Sequence, residues 1–127
     1  MDWIFYGLLA VVVLFFLKNM LPVKGLEQLS PDELKERLKK PGSYVLLDVR
    51  EPFEYRRGHI PGFSNLPLGQ LRQSCPNVDP SKHVILTCQS GMRSRQAAKI
   101  LLKNGVKEVS HLQTGMSGWT GRVEVKR

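Results

Sequence analysis

Hydrophobic positions divide this chain into one unbroken apolar run followed by a patchwork of short ones. The run Trp3-Ile-Phe-Tyr-Gly-Leu-Leu-Ala-Val-Val-Val-Leu-Phe-Phe-Leu17 contains no charge. Beyond it, Tyr44-Val-Leu-Leu-Asp48-Val49 and His83-Val-Ile-Leu-Thr87 predict strands buried on both faces. Val106-Lys-Glu-Val-Ser-His-Leu112 predicts a further strand. Helix signals lie between them. Ser30 is a predicted N-cap with Pro31 in the first helical position, Glu33 completing a capping box, and Leu29 and Leu34 spaced as a hydrophobic staple. That helix runs to about Lys40 and stops at Pro41-Gly42. A short helix over Glu51–Arg57 closes at Gly58, and Arg95–Lys103 predicts another that ends at Asn104-Gly105. Ser64–Leu68 reads as a brief extended piece, and the polar stretch from Gln70 to Lys82, with Pro76 and Pro80, as a connection. Met116 and Trp119 share one helical face near the end. Strands alternating with helices give an α/β class: a mostly parallel central sheet flanked by helices. Ligands of such sheets collect outside the strand carboxyl ends, where Asp48 and Cys88 both lie.

The apolar run predicts one transmembrane helix before the domain. At 1.5 Å per residue, Trp3–Leu17 covers roughly 22 Å; continuing through Lys18 to Pro22 approaches the ~30 Å of a hydrocarbon core. The expected division is therefore an anchor over residues 1–23 and a domain over 24–127. Lys18, Lys24, Lys35 and Arg37 all follow the run, which places the domain on the cytoplasmic side of an inner membrane, attached through residues 3–22. The alternative is a cleaved signal and a periplasmic domain, against which stand the absence of Lys or Arg before the run and of an Ala-x-Ala-like site after it.

With 127 residues and 42% hydrophobic composition, the chain suits a single folded domain. The formal net charge of +8 raises nucleic acid as a partner, but the basic residues are scattered and not interleaved with aromatics, so none is expected. Two cysteines, Cys75 and Cys88, are too few for a secreted disulfide scaffold, and Cys75 reads as a reduced bystander. His83 and His111 lack metal-ligand spacing to either cysteine, so no metal site is expected.

The candidate chemistry sits at Cys88-Gln-Ser-Gly-Met-Arg93-Ser94, between the strand and the helix. A thiol there faces backbone N–H groups at a helix amino terminus, which favour an anion, and Arg93 adds positive charge. The expected state is thiolate, the nucleophilic form. Gly91 permits tight curvature, so that successive N–H groups can converge on the sulfur as a nest; Ser90 and Ser94 offer hydroxyl donors, and Gln89 and Met92 complete the loop. Arg93 can fork onto an oxyanion. The structural alternative is a small buried cysteine ending a strand.

This loop resembles the active-site loop of rhodanese sulfurtransferases. Leu47-Asp48-Val49-Arg50-Glu51, Gly58-His59-Ile60-Pro61-Gly62 and Asn65-Leu66-Pro67 match the same family in the expected order, over roughly Leu26 to Trp119. One departure is Thr114-Gly115-Met116, where the family usually has two glycines before the methionine. The resemblance implies a single rhodanese-like domain in which Cys88 carries a persulfide, its terminal sulfur held by the N–H groups of Gln89 through Arg93, with no metal or organic cofactor needed. An anionic donor such as thiosulfate would supply the sulfur, with Arg93 stabilising the departing sulfite, and cyanide or a thiol would accept it. It further implies that Asp48, Arg50 and Glu51 brace the cysteine loop; acid–base catalysis by them is the other reading. Two functional alternatives remain open. One is a membrane-tethered sulfur-relay or partner-docking module, with a protein sulfur acceptor and little thiosulfate turnover. The other is a cysteine phosphatase or arsenate reductase, against which stand the four residues between Cys88 and Arg93, one fewer than tyrosine-type phosphatases have, and Thr87 in the place of their histidine.

Overall fold

The computed structural model describes residues 2–20, 23–75 and 78–125. Helix α1 (Asp2–Met20) precedes β1 (Leu26–Leu29), α2 (Pro31–Arg37), β2 (Tyr44–Asp48), α3 (Pro52–Arg57), β3 (Ser64–Asn65), α4 (Leu68–Gln73), β4 (His83–Thr87), α5 (Met92–Lys103) and β5 (Glu108–Leu112). Tight 3₁₀ turns cover Pro41–Ser43 and Gly115–Gly118. The strands form one parallel sheet in the order β1-β5-β4-β2-β3. All five carboxyl ends therefore lie along one edge, and β4, which delivers Cys88, is central.

Side chains alternate across the strands, so each face gathers its own core. Val84 and Leu86 of β4 join Leu68 and Leu71 of α4 and Ala97, Ala98 and Leu101 of α5. Ile85, on the opposite face, packs with Leu29, Leu34, Ile60, Phe63 and Leu112, and Trp119 closes that layer. Burying a side chain such as Leu101 contributes about 1.5–3 kcal/mol. Both bonds of the Ser30–Glu33 capping box form, at 3.1 and 3.2 Å, and the staple residues Leu29 and Leu34 are fully buried. Helix α2 nevertheless ends at Arg37, short of Lys40: Lys39 and Lys40 donate to the carbonyls of Glu36 and Arg37, tightening the chain before Pro41.

The expectation of a transmembrane anchor is overturned. Among the described residues, no helix is long and apolar enough to cross a membrane. The charge-free part of α1 spans only residues 3–17, between Asp2 and Lys18, which is roughly 22 Å at 1.5 Å per residue. Bridging the remaining distance relied on the polar residues that follow and on Leu21 and Pro22, which, like Met1, lie outside the described residues. The placement in an inner membrane and the membrane partner rested on that span and fall with it. Pro76, assigned to the connection before β4, also lies outside the described residues.

Candidate active site

The strand-to-helix junction is tighter than the sequence pattern suggests. Helix α5 begins at Met92 rather than Arg95, so Arg93 and Ser94 occupy its first turn and only residues 88–91 form the loop. Gly91 makes the turn possible with φ +94, and a Cβ there would meet the Gln113 carbonyl oxygen at 2.3 Å. Curvature brings two amides onto the buried Cys88 sulfur: Gly91 N–H at 3.0 Å and Ser94 N–H at 3.3 Å. Both donors stabilise negative charge on sulfur, as does the aligned first turn of a twelve-residue helix.

Residues after β5 hold the loop from behind. Met116 N–H donates to the Cys88 carbonyl at 2.8 Å and Ser117 N–H to the Gln89 carbonyl at 3.0 Å. Gly115 (φ +64) lies so close that a Cβ would stand 2.6 Å from the Cys88 oxygen. Thr114 takes the place of the family's first glycine in an ordinary right-handed conformation, φ −81 and ψ −12. The departure is compatible with the turn because only position 115 needs a positive φ.

Asp48 and Arg50 form a buried ion pair at the end of β2. Arg50 Nη2 donates to Asp48 Oδ2 at 2.8 Å and to the Gly58 carbonyl at 2.7 Å, while Nη1 reaches Gln89 Oε1 at 3.4 Å. Asn65 ties the same segment by donating to the carbonyls of Asp48 and Arg50. Asp48 and Arg50 are thus joined to the cysteine loop, whereas Glu51 is an exposed cap of α3 that takes part in a capping box with Glu54. Gln89, Ser90 and Met92 are exposed around the loop, and Ser94 is fully buried beneath it. An open cleft of about 450 Å³ adjoins the loop, lined in part by Arg50, Phe53, Arg57, Gln89 and Met116.

Arg93 is engaged in a way its position in the sequence does not reveal. Its two terminal nitrogens donate to the two oxygens of Glu54 on α3, at 2.6 and 2.9 Å. The Arg93 hydrogen bonds, helped by one from the Glu51 amide, hold the Glu54 carboxyl at about 2, against the desolvation that opposes them. The guanidinium fork assigned to an oxyanion is therefore filled by a carboxylate. Glu54 and His111 are the site neighbours that sequence reasoning missed. An acidic residue one helical turn after Glu51 reads as a cap, and His111 reads as a strand residue, so neither carries a local signal. Among the described residues, no group of His, Cys, Asp or Glu side chains converges as metal ligands do.

The sequence model for the rhodanese-like domain matches residues 30–122. The chain belongs to the rhodanese-like family. It is 32% identical over 101 residues to a Bacillus subtilis protein named "Putative sulfurtransferase YtwF", covering 80% of this chain and 97% of that one. A second Bacillus subtilis relative, "Putative sulfur carrier protein YrkF", is 34% identical over 100 residues; the match takes in 79% of this chain but 54% of that protein's length. The rhodanese-related protein from Thermoplasma volcanium has a crystal structure that superimposes with a TM-score of 0.68 at 29% identity, covering 79% of this chain and 99% of that one. The rhodanese-like α/β fold, with its parallel sheet flanked by helices, and membership of a sulfurtransferase family are thereby established.

Proposed function

We propose that this rhodanese-like domain transfers sulfane sulfur through a persulfide on Cys88. The observation that carries the reading is the convergence of the Gly91 and Ser94 amides on a single buried sulfur at the carboxyl end of the central strand. Cys88 thiolate attacks the outer sulfur of thiosulfate; the S–S bond to the sulfonate breaks, and sulfite leaves with the electron pair. The enzyme is left as Cys88–S–S⁻, whose terminal charge is met by the loop amides and the α5 amino terminus. Cyanide or a thiolate then attacks that terminal sulfur and regenerates Cys88 thiolate. A protein thiol fits the acceptor role as well as a small one, since the adjoining cleft is open.

Arg93 enters this scheme with Glu54 attached. An anionic donor that approaches the loop exchanges with the Glu54 carboxylate on the guanidinium fork, which returns to Glu54 when sulfite leaves. Asp48 and Arg50 act by bracing the loop through Gln89, and the Gln89, Ser90 and Met92 side chains form its exposed rim. The four-residue gap between Cys88 and Arg93 suits a single sulfur better than a phosphoryl group. Steady-state thiocyanate formation from thiosulfate and cyanide tests the reading. Wild type turns over and Cys88→Ser does not; equal rates from both would overturn it.

A further inference from the structure

A chain of side chains leads from the Cys88 sulfur across β5 to β1. Cys88 Sγ–H faces Ser94 Oγ at 3.5 Å, and Ser94 Oγ lies 2.7 Å from Nδ1 of His111. Nε2 of that ring lies 2.6 Å from Gln28 Oε1. Three elements supply it: α5, β5 and β1, whose parallel register sets Gln28 beside His111. Ser94 and His111 are fully buried. Burial, helped by the charge of Arg95, holds His111 down to about 4, so the ring is neutral at physiological pH.

A neutral imidazole has one N–H and one lone pair. The Gln28 carbonyl oxygen takes the Nε2 proton, so Nδ1 is an acceptor; at 2.7 Å it is nearer to the Ser94 hydroxyl than the other acceptor, the Gly91 carbonyl oxygen at 3.1 Å, and neither directs the proton at sulfur. Ser94 then presents only lone pairs to sulfur, and lone pairs suit an S–H, not a thiolate. The contacts on the nucleophile thus pull in opposite directions: the Gly91 and Ser94 amides favour thiolate, and the Ser94 hydroxyl favours thiol. We propose that Gln28, acting through His111, fixes the direction of the Ser94 hydroxyl and so sets the balance between thiol and thiolate at Cys88.

Gln28 and His111 are positioning residues, since neither touches the reacting sulfur. Other charges around the chain are accounted for. The charge of Arg95, whose buried Nε has no hydrogen-bond partner among the described residues, acts on the ring, and that of Arg93, paired with Glu54 of α3, acts on Cys88. Glu27 of β1 is engaged by Arg37 and Ser110, and Glu108 of β5 by His83, on the other face of the sheet. The inference adds to the persulfide reading but does not need turnover to be tested.

Gln28→Glu reverses the chain. A carboxylate at position 28 stabilises the imidazolium. The Cys88 proton passes through Ser94 to Nδ1, so that S–H breaks, Nδ1–H forms, and Ser94 turns its proton to the thiolate. In the full chain carrying Cys75→Ser, the pH of half-maximal Cys88 alkylation by iodoacetamide should fall by about one unit, roughly tenfold in rate below the original midpoint. Adding Ser94→Ala should remove more than half of that displacement. Independently of any variant, ¹⁵N NMR of His111 in the wild type should show the neutral Nε2–H tautomer. No displacement in Gln28→Glu, an undiminished one in the Ser94→Ala background, or an Nδ1–H tautomer in the wild type would each overturn the inference. Failure of sulfur transfer alone would leave these readouts intact and count only against the persulfide reading.

Discussion

Glu54→Gln removes one charge from the Arg93 pair and leaves the shape nearly unchanged. In the folded chain the Glu54 carboxyl sits at about 2 against an ordinary 4.5. At about 1.4 kcal/mol per factor of ten, that difference sets an upper bound of roughly 3 kcal/mol. The side chains of Arg93 and Glu54 retain 33% and 20% exposure, so water screens the pair and the expected loss is about 1–2 kcal/mol at pH 7. Because the folded-state value is depressed, this stability is fully present above about 4.5 and disappears as pH falls through about 2. Urea unfolding of wild type and variant should differ by about 1–2 kcal/mol at pH 7 and by less than half as much at pH 3. The same substitution frees the guanidinium fork, so KM for thiosulfate should fall about threefold or more. A variant gap that widens toward pH 3 would refute the linkage argument. An unchanged or higher KM would refute the exchange of donor and Glu54 on Arg93.

Three further perturbations address the loop and its support. Gly91→Ala forces a side chain into φ +94 and against the Gln113 carbonyl; it should cost about 2–4 kcal/mol in urea unfolding and abolish thiocyanate formation. Asp48→Asn leaves the buried Arg50 guanidinium without its counter-charge and should destabilise by about 3 kcal/mol, with turnover falling because Arg50 also holds Gln89. Cys75→Ser alters a half-buried thiol outside the loop and should leave the thiocyanate rate within about twofold of wild type.

The fold was most legible where the local code is strong. Ser30, Pro31 and Glu33 specify a helix start from neighbouring side chains alone, and the apolar runs ending at Asp48 and Thr87 specify central strands by density. It was least legible where tertiary partners do the specifying. Leu26-Glu-Gln-Leu29 is a strand because β5 pairs with it, and four residues offer too little periodicity to show that in isolation. Leu68–Gln73 is helical because Leu68 and Leu71 are buried against α5 and its core, while its N-cap is Pro67, which makes no side-chain cap bond.

The site divides in the same manner. Cys88, Gly91 and Ser94 were readable because loop geometry follows from contiguous residues. The Glu54 partner of Arg93 lies 39 positions away and the Gln28 partner of His111 lies 83 away, separations across which no sequence period acts. The apolar run at the amino terminus shows the opposite hazard. Its hydrophobicity is a strong local signal, yet spanning a membrane depends on uninterrupted length, and Asp2 and Lys18 bound that length.

The central claim is that Cys88 itself holds the transferred sulfur, and intact-mass spectrometry after thiosulfate treatment tests it most directly. Wild type should gain one sulfur atom, localised by peptide mapping to Cys88 and discharged by cyanide, while Cys88→Ser gains none. An unmodified wild type, or an equal gain in Cys88→Ser, would contradict the account.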